Sequence, residues 1–91
     1  MRIPKHPGEI FYDDYMIDLD LKKTDAAQTL GIPEKELSDF LLQKKPVDAE
    51  LAYRLSLTTK TSAKYWMDIQ ISYDLWKNRH LENLKLKPFK K

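Results

Sequence analysis

The sequence predicts an all-α domain of five helices, with no segment that reads as a strand. Three observations support this fold class. Residues 24–45, TDAAQTLGIPEKELSDFLLQKK, read as two short helices joined by a tight turn, which is the pattern of a helix-turn-helix unit. Residues that favour helix starts occur at three further places along the chain. The length of 91 residues is that of a single domain with one hydrophobic core.

The first helix is predicted over residues 7–18. His6 is a candidate N-cap, Pro7 suits the first helical position, and Glu9 lies in the first turn, where the helix dipole favours a carboxylate. The residues expected to form its apolar face are Ile10, Phe11, Tyr15 and Leu19. We therefore expect this helix to pack one side against the core and to expose its acidic residues.

The second helix is predicted over residues 23–30 and ends at a tight turn. Ala26, Ala27 and Leu30 share one helical face, which is expected to be buried. Gly31 follows directly, and a glycine adopts the positive φ that closes a helix more easily than any other residue does. The turn at residues 30–32 therefore separates the two helices of the unit.

The third helix is predicted over residues 33–42, with Pro33 in its first turn. Leu37, Phe40 and Leu41 recur at the i, i+3, i+4 spacing of a buried stripe. The polar residues expected on the opposite, exposed face are Glu34, Lys35, Ser38 and Asp39. An exposed polar face on the second helix of such a unit is what a recognition helix needs to contact bases in the major groove of DNA. This geometry indicates a binding protein and not an enzyme.

The fourth and fifth helices are predicted from their N-caps, Asp48 and Ser62. The residues of the fourth helix expected to point inward are Leu51, Ala52, Leu55 and Leu57. The fifth helix is expected to continue to about residue 84. Its seam of apolar residues at helical spacing consists of Trp66, Ile69, Tyr73 and Trp76. This seam is either the core of one subunit or the interface of a dimer, because an isolated helix pattern does not distinguish the two.

The chain divides into a helix-turn-helix domain over residues 1–80, whose fifth helix is the dimerisation helix, and a basic tail over residues 81–91. The tail ends in KLKPFKK, contains a proline, and is expected to be disordered. Residues 1–20 carry two bases against five acids, a net charge of −3, whereas residues 48–91 carry nine bases against five acids, a net charge of +4. The acidic end is expected to repel phosphate and to face a basic protein partner.

Composition argues against several functional classes. The chain has no cysteine, so it can form neither a disulfide nor a thiolate metal site, and His6 and His80 lie too far apart to suggest a metal or cofactor. Glycines stand only at positions 8 and 31, which excludes a phosphate-binding glycine loop and makes catalysis improbable. No run of about 18 apolar residues could span a membrane, and the N-terminus does not resemble a signal peptide. We expect a cytoplasmic protein that is not an enzyme.

Several motifs together resemble one protein family. They are His6-Pro7-Gly8-Glu9, Ala27 with Leu30-Gly31-Ile32-Pro33, Leu37-Ser38-Asp39, Lys44-Lys45 before Ala49, Thr61-Ser62, Tyr65-Trp66, Gln70 and Tyr73-Asp74-Leu75-Trp76. Over about residues 6–80 this pattern is similar to the HigA antitoxin family. That family has the Cro/cI-type (XRE, or lambda repressor-like) helix-turn-helix fold, which is the fold that the resemblance implies here.

The resemblance implies a homodimer that binds its own double-stranded operator DNA and represses its operon. It also implies a toxin partner of the HigB type, a ribosome-dependent enzyme that cleaves messenger RNA. The residues implied to contact DNA are Lys23, Thr24, Glu34, Lys35, Ser38, Asp39, Lys44 and Lys45. Among these, Lys35 is the expected base contact, and the other lysines are expected to bind phosphate. The acids expected to contact the toxin are Glu9, Asp13 and Asp14.

The third helix departs from the family pattern. Residues 33–42 carry one base against three acids, a net charge of −2, whereas phosphate neutralisation supplies much of the affinity for DNA. Leu42-Gln43 replaces the usual Asn-Gly ending, so the left-handed stop of this helix is expected to be lost and the following lysine loop to be re-aimed. Lys22 replaces a Ser N-cap, at an expected cost of about 1 kcal/mol. An alternative hypothesis is therefore a protein-interaction module that keeps the fold but has lost useful DNA affinity.

Overall fold

The protein, seen in a computed structural model, is described over residues 2–90 and contains five α-helices in this range and no strand. Met1 and Lys91, the first residue of the predicted domain and the last of the predicted tail, lie outside it. The helices are α1 (Pro7–Phe11), α2 (Lys23–Leu30), α3 (Glu34–Leu41), α4 (Ala49–Thr59) and α5 (Ala63–Lys77). A π-helical segment, Tyr12–Ile17, continues α1, and a 3₁₀-helix, Arg79–Asn83, follows α5. The predicted fold class is confirmed.

Helix α1 begins as the sequence predicts. The Nδ1 atom of His6 accepts a hydrogen bond from the backbone N–H of Gly8 at 2.9 Å, and Pro7 occupies the first turn. After Phe11 the helix widens, and the backbone N–H of Leu21 still reaches the carbonyl of Met16, a separation of five residues, at 2.8 Å.

The wider turns of the π-helical segment change which residues face the core. Phe11 is buried as predicted, and Ile10 and Tyr15 are half-buried. Leu19 is exposed, so its assignment to the apolar face is wrong, and Met16 is buried instead. A prediction that assumes 3.6 residues per turn fails here because a π-helix advances by a different angle per residue.

The helix-turn-helix unit has the predicted second helix, and Gly31 closes it with a φ of +71°. Lys22, before α2, makes no side-chain capping bond, as predicted. Pro33 is the N-cap of α3 and not part of its first turn, so α3 starts one residue later than predicted. The apolar stripe of α3 is confirmed, since Leu37 and Phe40 are fully buried.

The predicted loss of the left-handed stop after α3 is wrong. Gln43 has a φ of +63°, the conformation expected of an Asn or Gly at this place. The backbone N–H of Lys44 donates to the carbonyl of Asp39 at 2.8 Å, and the N–H of Gln43 donates to that of Phe40 at 3.1 Å. These bonds satisfy two of the last four carbonyls of the helix, and the left-handed glutamine that makes them possible has an intrinsic cost of about 1–2 kcal/mol.

Helices α4 and α5 start at the predicted caps. Asp48 Oδ1 accepts from the N–H of Leu51 at 2.8 Å, and Ser62 Oγ accepts from that of Tyr65 at 3.0 Å. The predicted inward residues of α4 are buried except Leu57, which is 81% exposed, so that assignment is wrong. The fifth helix ends at Lys77 and not near residue 84, because the backbone of the next residue leaves the α-helical region.

The core lies where the five α-helices and the π-helical segment meet. Its buried apolar residues are Phe11, Met16, Ala26, Ala27, Leu30, Leu37, Phe40, Val47, Leu51, Ala52, Leu55 and Trp66. Trp66 is completely buried, and its indole N–H donates to Thr61 Oγ1 at 2.8 Å. The core is therefore closed within one chain, with the start of α5 as one of its walls.

Candidate nucleic-acid interface

Helix α3 has two chemically different faces. Leu37 and Phe40 point into the core and are fully buried. Lys35 stands on the opposite side of the helix, with Asp39 one turn further along, and their ammonium and carboxylate groups lie 3.0 Å apart. Because the apolar side is fixed by packing, the orientation of the polar side toward solvent is fixed as well.

One close contact holds the end of α3 against α1, and two hydrogen bonds hold the turn before α3 against α4. A Cβ atom on Gly8 would lie 2.0 Å from the carbonyl oxygen of Phe40, so only glycine permits α1 to approach the end of α3 this closely. At the other end, the Arg54 guanidinium of α4 donates to the carbonyls of Leu30 and Gly31 at 3.0 and 3.1 Å. Arg54 thus ties the turn of the helix-turn-helix to α4.

The role of Arg54 was missed in the sequence. It follows an apolar residue within an ordinary amphipathic helix, and only the fold brings it to a turn more than twenty residues earlier. One signal does point to such a residue: the last carbonyls of α2 have no partner within the helix and so need donors from elsewhere. A cationic group at the carboxyl end of a helix supplies such a partner and also matches the helix dipole.

The residues predicted to contact DNA are partly brought together. Lys23 and Thr24, at the start of α2, are exposed, and Thr24 Oγ1 lies 3.4 Å from Glu34 Oε2 at the start of α3. Lys23 borders a groove that is also lined by Leu42 and Gln43, the residues that precede the lysine loop. The predicted phosphate-binding residue of α2 therefore lies on the same side of the molecule as the carboxyl end of α3.

The loop after α3 is fixed by a residue of α5 that the sequence analysis did not recognise as functional. Gln70 is 5% exposed, its Oε1 accepts from the backbone N–H of Val47 at 2.8 Å, and its Nε2 donates to Asp74 Oδ1 at 2.8 Å. Lys44 is exposed and Lys45 is half-buried within this loop. Gln70 therefore anchors the segment that carries both lysines.

The three acids predicted to contact a toxin line two grooves, which share Asp13. Glu9 and Asp13 border the groove beside Lys23. Asp14 lines a different groove, formed with Tyr65 and the N-terminal residues 2–5, and Asp13 reaches this groove too. Asp13 also lies 3.6 Å from the ammonium group of Lys5, so part of its charge is compensated.

The predicted seam of α5 is divided between core and surface. Trp66 belongs to the core, whereas Ile69, Tyr73 and Trp76 are only half-buried. Tyr73 lies edge-on to the His6 ring with the centroids 5.0 Å apart, and the Arg79 guanidinium lies 4.4 Å from the Trp76 ring. The question left open by the sequence is settled for Trp66 alone.

His6, which caps α1 and contacts the Tyr73 ring of α5, is a buried titratable group. Burial lowers its pKa below the ordinary value of 6.5, although the carboxylate of Asp74 acts in the opposite direction. The neutral ring accepts the capping hydrogen bond through Nδ1, which a protonated ring could not do. The start of α1 thus depends on a neutral histidine.

Two features are absent from residues 2–90. This part of the chain contains no helix that is long and apolar enough to cross a membrane. It also contains no cluster of three or more His, Asp or Glu side chains placed to hold a metal ion.

The fold and the exposed α3 face define a helix-turn-helix protein, and comparisons with known proteins agree. The chain is 34% identical over 92 residues to virulence-associated protein A of Dichelobacter nodosus, covering 99% of this chain and 89% of that protein. It is 31% identical over 75 residues to the uncharacterized helix-turn-helix transcriptional regulator YbaQ of Escherichia coli, covering 82% of this chain. The match spans 66% of the length of YbaQ. No protein-family model matches the chain.

Solved structures share the whole architecture. An addiction module antidote protein of the HigA family from Coxiella burnetii superposes with a TM-score of 0.83 at 26% identity, covering 98% of this chain and 100% of that one. PA4674 of Pseudomonas aeruginosa, in complex with its operator DNA, gives 0.83 at 29% identity, covering 98% and 97%. The antitoxin HigA of the same organism, with the higBA promoter, gives 0.82 at 27% identity, covering 93% and 97%. The chain belongs to the family of virulence-associated protein A, and its resemblance to the HigA-type helix-turn-helix proteins is confirmed.

Proposed function

We propose that this protein is a DNA-binding regulator of the antitoxin type, which represses its own operon by placing α3 in the major groove of operator DNA. In this function Lys35 contacts a base, and Lys23, Lys44 and Lys45 bind backbone phosphates. Thr24, Glu34, Ser38 and Asp39 line the same contact. The protein acts by binding and not by catalysis, as do the relatives described as regulators and antitoxins.

The observation that carries this proposal is the fixed exposure of one polar face of α3. The face opposite Leu37 and Phe40 is unobstructed, since Lys35 retains 86% of its side-chain exposure. Gly8 packs against the end of α3 and Arg54 holds the turn before it, and both contacts lie outside that face. Two relatives of the same architecture, PA4674 and HigA, were solved with operator or promoter DNA.

The experiment that tests DNA binding is fluorescence anisotropy on the DNA upstream of the protein's own gene. Scrambled DNA of the same composition is the control, and salt is varied from about 50 to 200 mM because phosphate contacts weaken in that range. Selective binding to the upstream DNA, weakened in Lys35→Ala and in the double variant Lys44→Ala/Lys45→Ala, is the expected result. Equal and weak binding to both DNAs, lost at the higher salt, would contradict it.

Dimerisation is part of the same proposal. A two-fold symmetric dimer places two copies of α3 in successive major grooves, about 34 Å apart, and so matches a palindromic operator. Sedimentation at micromolar concentration tests this part. A species of twice the chain mass is expected. A protein that stays monomeric even when bound to operator DNA would exclude the dimer.

Neutralisation of a HigB-type toxin is the second part of the antitoxin function. The acidic residues Glu9, Asp13 and Asp14 are the proposed contacts, and the net charge of −3 over residues 1–20 suits a basic partner. Co-expression with the product of the neighbouring gene tests the point. The wild-type protein should rescue cell growth, and the variant Asp13→Asn/Asp14→Asn should not. Rescue that persists in this variant would place the toxin contact elsewhere.

The alternative function, a protein-interaction module without useful DNA affinity, has one observation in its favour. The single lysine of α3 lies 3.0 Å from the carboxylate of Asp39, and two further acids stand in the first turn. Both features weaken the attraction of the helix for phosphate. The salt series described above separates the two functions.

A further inference from the structure

We infer that Lys35 and Asp39 act as one unit that reads a single G·C base pair in each half of the operator. This inference rests on the proposed DNA-binding function and adds the base that α3 selects. An acid of α3 thus contributes to base specificity. Lys35 supplies the hydrogen-bond donors of the unit, and Asp39 supplies the acceptor.

The geometry of the pair supports a joint role. The two residues are one helical turn apart, and Lys35 Nζ lies 3.0 Å from Asp39 Oδ2. The Lys35 side chain is 86% exposed, whereas that of Asp39 is 34% exposed. The Asp39 carboxylate thus lies close to the helix surface, and the longer side chain of Lys35 extends past it into solvent.

The chemistry of the major-groove edge selects G·C for such a pair. Guanine offers N7 and O6, two neighbouring acceptors, and the N4 amino group of the paired cytosine offers a donor beside O6. An ammonium on guanine and a carboxylate on cytosine therefore satisfy both bases at once. An A·T pair places one donor between two separated acceptors and adds the thymine methyl group, so the ammonium loses its second acceptor.

The pairing also explains how an acid can approach DNA at all. An isolated carboxylate in the groove is repelled by the phosphates, but the Lys35–Asp39 ion pair, with its charged atoms 3.0 Å apart, has no net charge, so the repulsion of the whole pair is small. The other exposed acid of this face, Glu34, lies 3.4 Å from Thr24 Oγ1 and so is directed toward α2. Asp39 is therefore the carboxylate that the geometry assigns to cytosine.

The chain contains a matched control for this inference. Lys64 and Asp68 of α5 form an ion pair of the same residue types at the same spacing, with the charged atoms 2.7 Å apart. Their side chains are 82% and 55% exposed. The pair lies outside the helix-turn-helix, so its removal tests the general effect of losing one surface lysine.

The experiment is selection of bound sequences from a library of randomised DNA duplexes by the full-length protein, followed by affinity measurements on the selected site. Wild type, Lys35→Gln, Asp39→Asn and Lys64→Ala are compared. Wild type and Lys64→Ala are expected to select a G·C pair at one fixed position in each half-site. Replacing that pair by A·T should weaken wild-type binding about tenfold, within the range for a bidentate base contact. Lys35→Gln and Asp39→Asn should lose most of this discrimination.

Two results would overturn the inference, and they differ from failure of the proposed function. Selected sites without a fixed G·C pair would show that α3 reads DNA by other contacts. Retention of the wild-type preference by both Lys35→Gln and Asp39→Asn would show that the pair does not read the base. If no variant and not even wild type bound any DNA in the library, both the inference and the DNA-binding function would fail together.

Discussion

The two faces of α3 differ in how tightly they are packed. The inner face is fixed by complete burial of Leu37 and Phe40 and by the approach of Gly8 to within a distance that excludes any side chain. The outer face carries only exposed or half-buried polar groups and one lysine–aspartate pair. Surface pairs of this kind contribute about 0.2–1 kcal/mol, far less than buried core residues do. Stability therefore resides on one face, and the capacity for recognition resides on the other.

This difference predicts that stability and DNA binding can be changed separately. Substitutions in the core should destabilise the protein without changing the DNA sequence that the folded protein binds. Substitutions on the outer face should change recognition and leave unfolding almost unaffected.

Among substitutions in the core, Trp66→Ala should have the largest effect on the free energy of unfolding. Trp66 is fully buried and contacts the rings of Phe11 and Tyr15, with centroids 6.4 and 6.2 Å away. Its removal should lower the free energy of unfolding by about 3–5 kcal/mol, measured by urea denaturation. Trp76→Ala is the matched control, because that tryptophan is half-buried, and its loss should be clearly smaller. Similar losses for both tryptophans would contradict the placement of the core.

Gly8→Ala should destabilise the protein by about 3 kcal/mol, since overpacking at a rigid contact costs 1–3 kcal/mol and here the obstacle is backbone. The new Cβ would lie 2.0 Å from the carbonyl oxygen of Phe40, so α1 and α3 must separate. The control is Gln28→Ala on the exposed side of α2, expected within about 0.5 kcal/mol of wild type. An unchanged melting temperature for Gly8→Ala would mean that the two helices are not in contact.

Gln43→Gly should stabilise the protein by about 1 kcal/mol, because glycine adopts a positive φ without the penalty of a side chain. Gln43 has a φ of +63° at the end of α3. Gln28→Gly, in the interior of α2, should have the opposite sign and cost about 1 kcal/mol. If Gln43→Gly also destabilised, the left-handed stop of α3 would not exist in solution.

His6 should make stability depend on pH, with a dependence that is small above pH 7 and grows as the pH falls below about 6.5. Burial lowers the pKa of His6 in the folded protein below 6.5, so the unfolded chain binds the proton more tightly. Stability should therefore fall as the pH decreases below about 6.5 and continue to fall until the folded-state pKa is passed. The surrounding charges are Asp74, Lys77 and Glu9.

The measurement for this prediction is urea denaturation across about pH 7 to 5, where the carboxylates remain largely ionised. His6→Asn is the control, since asparagine caps helices well but does not titrate. Its pH dependence should be flatter than that of wild type. An equal slope in both proteins would assign the effect to another group.

Much of the fold was predictable from sequence because local signals and burial agree in it. The caps Asp48 and Ser62, the turn at Gly31 and the stripe of α3 were all predicted and found. The errors occurred where geometry departs from the ordinary helix. Leu19 was misplaced because the π-helical segment changes the face.

The candidate site was less predictable than the fold. Its lysines could be proposed from the family resemblance, but the residues that position them act over long sequence distances. Arg54 reaches the turn after α2, and Gln70 reaches the loop that holds Lys44 and Lys45. Such contacts leave no periodic signal in the sequence. The pairing of Lys35 with Asp39 was compatible with helical spacing, yet only the structure gives its distance.

The decisive measurement for recognition by α3 is the dissociation constant of Lys35→Ala relative to Lys64→Ala on one duplex of the selected operator, measured by anisotropy at a single salt concentration. Both variants lose one exposed lysine from an i, i+4 ion pair, so their net charges are identical. We predict that Lys35→Ala binds about tenfold more weakly than wild type and that Lys64→Ala binds within about twofold of it. Equal affinities for the two variants would contradict the assignment of recognition to the outer face of α3.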